Sequence, residues 1–250
     1  MHSFFRIIAV LAALVLQSTA SFALDLGKLK GQVWGNGRQN VVVLLHGDGG
    51  PRKFYATYGK RLAQSRKDTT VIMLTRPAFT GPTGKSPGRN PDKNHYISSN
   101  NALLGKSLRA ISKSLNPERM IVVGHSGGAA MAAVATARFP GAADVVILAA
   151  CPCDVPNWRR HRRAQRGKTG TGWKDSQSPH KFARKIPSGT KMIVITGTKD
   201  DNTLPKFART YVGIAQKAGA NITYLEPRGV THSWRSLQRH VDRLIRSELK

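Results

Sequence analysis

Acidic residues are scarce in this sequence. Thirteen Asp and Glu stand against 40 Lys and Arg, a formal charge of +27. That imbalance excludes a surface that recruits basic partners and points to an anionic environment such as acidic polysaccharide, lipid headgroups or nucleic acid. No helix-turn-helix, zinc-finger spacing or aromatic RNA-binding motif accompanies the charge, so nucleic acid gains no specific support. Cysteine is nearly absent: only Cys151 and Cys153 occur, separated by Pro152. This excludes a disulfide-built scaffold, and the spacing is not the C-x-x-C of a redox helix. An oxidising compartment permits a disulfide between them, but residues two apart close a small, strained ring, so buried or reduced thiols are expected and the redox state stays open. The eight histidines include His95, His161, His180 and His240, which share no ligand spacing, and no metal or other cofactor is expected.

Long apolar runs are also missing after the first residues. Met1 to Arg6 is short and basic, Ile7 to Leu16 is apolar, and Ser21-Phe22-Ala23 carries small residues at the two positions read by a signal peptidase. Residues 1–23 are thus expected to be a cleaved signal, with an exported, periplasmic or secreted protein starting near Leu24. No later stretch reads as a membrane span.

What remains alternates between strand-like and helix-like segments. Val41 to Leu45, Thr70 to Leu74, Ile121 to Val123, Val145 to Ala149 and Met192 to Thr196 read as buried strands, with Leu29 to Trp34 first and Asn221 to Leu225 last. Helices are expected over Tyr55 to Gln64, Asn100 to Leu115, from the Ser126 turn to Phe139, Lys206 to Ala218 and Trp234 to Glu248. Arg76 to Pro91 reads as a loop, and Val155 to Lys185 as irregular and strongly basic. This is the pattern of a doubly wound α/β domain with a mostly parallel sheet flanked by helices, over residues 24–250. Residues 155–185 are expected to form a lid.

Ligands of such sheets bind at the carboxyl ends of the strands. His46-Gly47-Asp48, Ser126, Asp200 and His232 all fall there. Gly124-His125-Ser126-Gly127-Gly128 joins a strand to a helix through a turn that lifts a serine hydroxyl above the sheet edge. A serine needs a base, and a histidine base needs a carboxylate to fix its tautomer. Ser126, Asp200 and His232 occur in the order serine, acid, histidine. His125 reads as a packing residue of the turn, and His46 as a hydrogen-bonding residue of the preceding loop.

With the His46 to Gly50 loop, the Gly124 to Gly128 turn, the Gly197 to Asn202 loop and Thr231-His232-Ser233, nearly the whole mature chain resembles the α/β-hydrolase superfamily. The acid loop is similar to those of its dienelactone-hydrolase and prolyl-oligopeptidase branches. The resemblance implies a serine hydrolase with Ser126 as nucleophile, His232 as base and Asp200 as acid, Asp201 being the alternative acid. The oxyanion hole is expected from the backbone N–H groups of Asp48 and Gly127, with Gly49 as an alternative to Asp48. The Asp48 carboxylate would oppose an oxyanion unless paired with a cation such as Arg52 or Lys53. Arg159, Arg160, Arg162, Arg163 and Arg166 are expected to steer an anionic substrate or hold the protein at an anionic surface. A short chain without a propeller or large cap suits a small-molecule or short extended substrate, ester or amide. Three functions stay open: an esterase, a prolyl-oligopeptidase-like peptidase, and a non-catalytic envelope binding protein on the same fold.

Overall fold

The apolar β-branched runs pair into one seven-stranded sheet in a computed structural model that describes residues 24–250; the expected signal segment lies outside the described residues. In chain order the elements are β1 (Gly31–Trp34), β2 (Asn40–Leu45), α1 (Lys53–Gln64), β3 (Thr69–Leu74), a hairpin of β4 (Thr80–Gly81) and β5 (Gly84–Lys85), α2 (Ser98–Leu115), β6 (Arg119–His125), α3 (Gly127–Arg138), β7 (Val145–Ala149), α4 (Val155–Ala164), β8 (Lys191–Ile195), α5 (Pro205–Lys217), β9 (Ile222–Leu225) and α6 (Trp234–Glu248). The strand order is β1-β3-β2-β6-β7-β8-β9. β1 runs antiparallel to β3, and the other pairs are parallel.

The period-two geometry of a strand sends alternate side chains to opposite faces. Val41, Val43 and Leu45 of β2 join one core with α2, α3 and α5, through residues such as Leu104, Leu108, Met131 and Tyr211. Val42 and Leu44 join the other core with α1 and α6, through Tyr58, Leu62, Leu237 and Val241. Both faces are therefore covered, as an all-apolar parallel strand requires. α3 is buried over nearly its whole length, and its alanines let it lie close to the sheet.

Two segments differ from the sequence reading. The 76–91 loop contains the β4–β5 hairpin. Within 155–185, Val155–Ala164 is a regular helix, capped by the Asp154 side chain, which accepts from Asn157 N–H. Only Val155 and Trp158 of α4 are buried, so it carries too narrow an apolar stripe to stand out by periodicity. Among the described residues no helix is long and apolar enough to cross a membrane.

Candidate active site

β6 ends at His125, and the chain turns directly into α3 through Ser126, whose φ of 53° and ψ of −120° lie outside the regions that side chains favour. Only close packing holds a non-glycine residue in such a conformation. A Cβ at Gly124 would come within 2.5 Å of the Ala129 Cα, and one at Gly128 within 2.5 Å of the Leu45 carbonyl oxygen. The strand and helix meet at a distance only glycine permits, and Ser126 N–H is tied to Ala149 O at 2.8 Å.

The loops after β8 and β9 bring two further groups to this serine. His232 Nε2 lies 3.1 Å from Ser126 Oγ, and His232 Nδ1 lies 2.9 Å from Asp200 Oδ2. Asp201, the alternative acid, is exposed and makes no such contact with His232. Asp200 is 2% exposed, and its Oδ1 accepts from the backbone N–H groups of Asn202 and Thr203. Thr203 Oγ1 lies 2.7 Å from Asp200 Oδ2 and 3.1 Å from His232 Nδ1. Burial would raise the Asp200 carboxyl, but the hydrogen bond and charge of His232, together with Thr203, outweigh it and hold the group below its ordinary value.

A second string of hydrogen bonds supports the first. Gly47 N–H donates to Tyr55 Oη at 3.2 Å, Tyr55 Oη lies 2.6 Å from His125 Nδ1, and His125 Nε2 lies 2.9 Å from the His232 carbonyl oxygen. A carbonyl only accepts, so Nε2 carries the proton, and in neutral imidazole Nδ1 accepts from the tyrosine. Burial and the neighbouring His232 push His125 down to about 4, which keeps it neutral. His125 is thus no spare base: it ties the serine turn to the backbone of His232. His46 is fixed in the same manner. Arg76 N–H donates to its Nε2 at 3.1 Å, and Nδ1 lies 2.8 Å from Gly47 O.

Asp48 corrects the expected pairing with Arg52 or Lys53. Its Oδ1 accepts from both Nη1 and Nη2 of Arg76 at 3.0 Å, and its Oδ2 accepts from Tyr96 Oη at 2.7 Å. Arg76 lies two residues past the end of β3, so its fully buried guanidinium reaches the loop after the adjacent strand β2. Burial would raise the Asp48 carboxyl, yet Arg76 and Tyr96 hold it below its ordinary value. The carboxylate is thereby kept ionised, with its charge offset by Arg76, in the lining of the cavity. The backbone N–H groups of Asp48 and Gly127 enter no hydrogen bond among the described residues.

A cavity of about 750 Å³ opens over Ser126 and His232. Of the five arginines singled out from the sequence, Arg159, Arg162 and Arg166 line it. Arg160 lines a separate cavity beside Lys206 and bonds Asn157, and Arg163 Nε donates to Thr169 O at 2.7 Å. Arg52 and Lys93 line the site cavity as well. Cys151 and Cys153 form a disulfide, contrary to the expected thiols. The backbone folds back on itself there, with Cys153 N–H donating to Cys151 O at 2.8 Å, and the two Cα atoms stand 5.0 Å apart. Both cysteines belong to the core rather than to the cavity lining.

The buried neutral imidazoles set a pH dependence of stability. Burial first, with Arg76 next, lowers His46 to about 3 and His95 to about 4, and His125 lies at about 4. Between these values and the unfolded value of about 6.5, the unfolded chain binds more protons than the native one, so stability falls as the pH falls through that window. Unfolding free energy is expected to drop by roughly 3 kcal/mol or more from pH 7 to pH 4.5. Urea titrations at the two pH values measure this, and equal stabilities would contradict the neutral, buried assignment.

Comparison with known proteins agrees with this architecture. The model of the Alpha/beta hydrolase family matches residues 42–173, over half of the chain, and the chain belongs to that family. Among solved structures, the esterase PE8 superposes with a TM-score of 0.63 at 20% identity, over 89% of this chain and 100% of that one. A monoacylglycerol lipase from Paleococcus ferrophilus gives 0.62 at 17% identity, over 89% and 100% of the two chains. A proline iminopeptidase from Mycobacterium smegmatis gives 0.65 at 15% identity, over 89% and 94%. At these identities the likeness is one of fold. No curated protein matches the sequence.

Proposed function

We propose that the protein is an exported serine hydrolase that cleaves a carboxylic ester, with residues 24–250 forming a single hydrolase unit. The observation that carries this reading is the unbroken run of contacts from Asp200 Oδ2 through His232 to Ser126 Oγ, ending on a serine with a strained backbone. In the proposed cycle Ser126 Oγ attacks the ester carbonyl carbon while its proton passes to His232 Nε2. Asp200 holds the Nδ1–H tautomer and stabilises the imidazolium. The oxyanion is met by the uncommitted N–H groups of Asp48 and Gly127, the latter at the start of α3. The C–O bond then breaks as His232 returns the proton to the leaving alcohol. Water, deprotonated by His232, attacks the acyl-enzyme, and the acid departs as Ser126 recovers its proton.

Export is supported by the signal-like pattern of residues 1–23 and by the Cys151–Cys153 disulfide, which suits an oxidising compartment. The ester reading is favoured over an aminopeptidase by the lining of the cavity. A peptide's free ammonium calls for an acid, and the only one in the lining among the described residues, Asp48, is committed to Arg76 and Tyr96. A panel of p-nitrophenyl esters and aminoacyl-prolyl amides, offered to the purified mature protein, tests this. Turnover of esters with a Ser126-dependent rate is expected, and turnover confined to the prolyl amides would overturn the ester assignment.

A further inference from the structure

Five cations converge on the Ser126 cavity from three separate stretches of chain: Arg52 after the β2 loop, Lys93 before α2, and Arg159, Arg162 and Arg166 along and just beyond α4. None of the five forms a salt bridge with another of the described residues. Arg76, fully buried and absent from the lining, is by contrast paired with Asp48. The positive charge over the nucleophile is therefore uncompensated by protein.

Two of these side chains are also held in place. The Arg159 guanidinium lies 3.9 Å from the centre of the Trp173 ring, and its Nε donates to Thr171 O at 3.3 Å. Arg162 Nη1 donates to Gln165 Oε1 at 2.5 Å. A stacked, oriented guanidinium presents a planar fork suited to the two oxygens of an oxyanion. Burial, with the charges of Arg163 and Arg166, holds Arg159 below its ordinary value, an electrostatic load that a bound anion would relieve.

We infer that the cavity selects esters that carry an oxyanion, a carboxylate or a phosphate, and that Arg159, Arg162 and Arg166 recognise it together with Arg52 and Lys93. This rests on the reading of Ser126 as nucleophile and names the substrate class of that same site. A site-built recognition differs from a general effect of the +27 charge, because Arg160 and Arg163 lie on the same helix and do not line the cavity.

Three butyrate esters of phenol that differ only in the para substituent, a carboxamide, a carboxylate or a phosphate, test the inference. The wild type is expected to favour at least one of the two anionic esters over the carboxamide by about tenfold or more in kcat/KM at low salt. The preference should shrink as ionic strength rises. The variant R159Q/R162Q/R166Q should lose most of this ratio, and R160Q/R163Q should keep it. Which anionic ester is preferred separates a carboxylate from a phosphate substrate.

Equal kcat/KM for all three esters in the wild type would overturn the inference while leaving the nucleophile in place, as would an equal loss of the ratio in both variants. Binding of the carboxylate ester to Ser126→Ala, followed through the fluorescence of Trp158 and Trp173 in the lining, is independent of turnover. Tighter binding of the carboxylate than of the carboxamide would uphold anion recognition even if no ester were hydrolysed. Equal binding of the two would contradict it.

Discussion

Ser126→Ala is expected to lower kcat/KM for ester hydrolysis by on the order of 10⁵, with KM little changed. In the proposed cycle the hydroxyl oxygen forms the new bond, and the neighbouring His125 and cysteines offer no substitute. His125 is buried, neutral and committed at both ring nitrogens. The thiols that could have served as alternative nucleophiles are joined as a disulfide. Alanine also fits the site: the turn already tolerates a Cβ at position 126, and only the 3.1 Å contact to His232 is lost. Stability should therefore change little, and a native-like urea midpoint should accompany the loss of rate. A variant that kept a tenth of wild-type activity would remove Ser126 from the mechanism.

Asp200→Asn should cost on the order of 10³ to 10⁴ in kcat, again with the fold retained. In the native arrangement the carboxylate accepts from His232 Nδ1–H, which leaves Nε2 free to take the serine proton. An asparagine amide can present an N–H to Nδ1 instead, which moves the ring proton to Nε2 and removes the base. Asp200 Oδ1 already accepts two backbone N–H groups, so the asparagine oxygen would be held there and its NH₂ turned toward the histidine. Asp201→Asn makes the control, since that carboxylate is exposed. Equal losses in the two variants would point to the charge of the loop rather than to tautomer control.

The parts legible in the sequence were those governed by local chemistry. Val41 to Leu45 and Ile121 to Val123 announce buried parallel strands because no polar side chain interrupts them. The glycines around Ser126 mark the tight strand-to-helix step, and the strand ends identify one edge on which Ser126, Asp200 and His232 meet. Less legible were contacts that depend on side chains distant in sequence. Arg76 reads as the first residue of a loop, and only the fold reveals that it is buried against Asp48, 28 residues earlier. Nothing in the spacing of Tyr55 or Tyr96 marks their bonds to His125 and Asp48.

α4 was hidden by its charge, although Asp154 as a cap and Pro156 in the first turn were signals of a helix start. Missing that helix blurred the arginines into one cluster of five. On a helix, Arg159 and Arg162 are three apart and share a face, Arg160 is turned about 100° away from Arg159, and Arg163 is drawn off by its bond to Thr169 O. Helix phase and the bonds made by Arg160 and Arg163 together divide the cavity-lining residues from the others. The Cys151–Cys153 bond depended on a local fold-back of the backbone, which residue spacing alone does not specify.

A fluorophosphonate probe measures directly whether Ser126 is a nucleophile activated by His232. The folded protein should take up one equivalent of probe, with the adduct mapped by peptide mass spectrometry to Ser126. Labelling should be absent in Ser126→Ala and slowed at least about a hundredfold in His232→Ala. No labelling of the wild type, or an adduct on a different serine, would contradict the account.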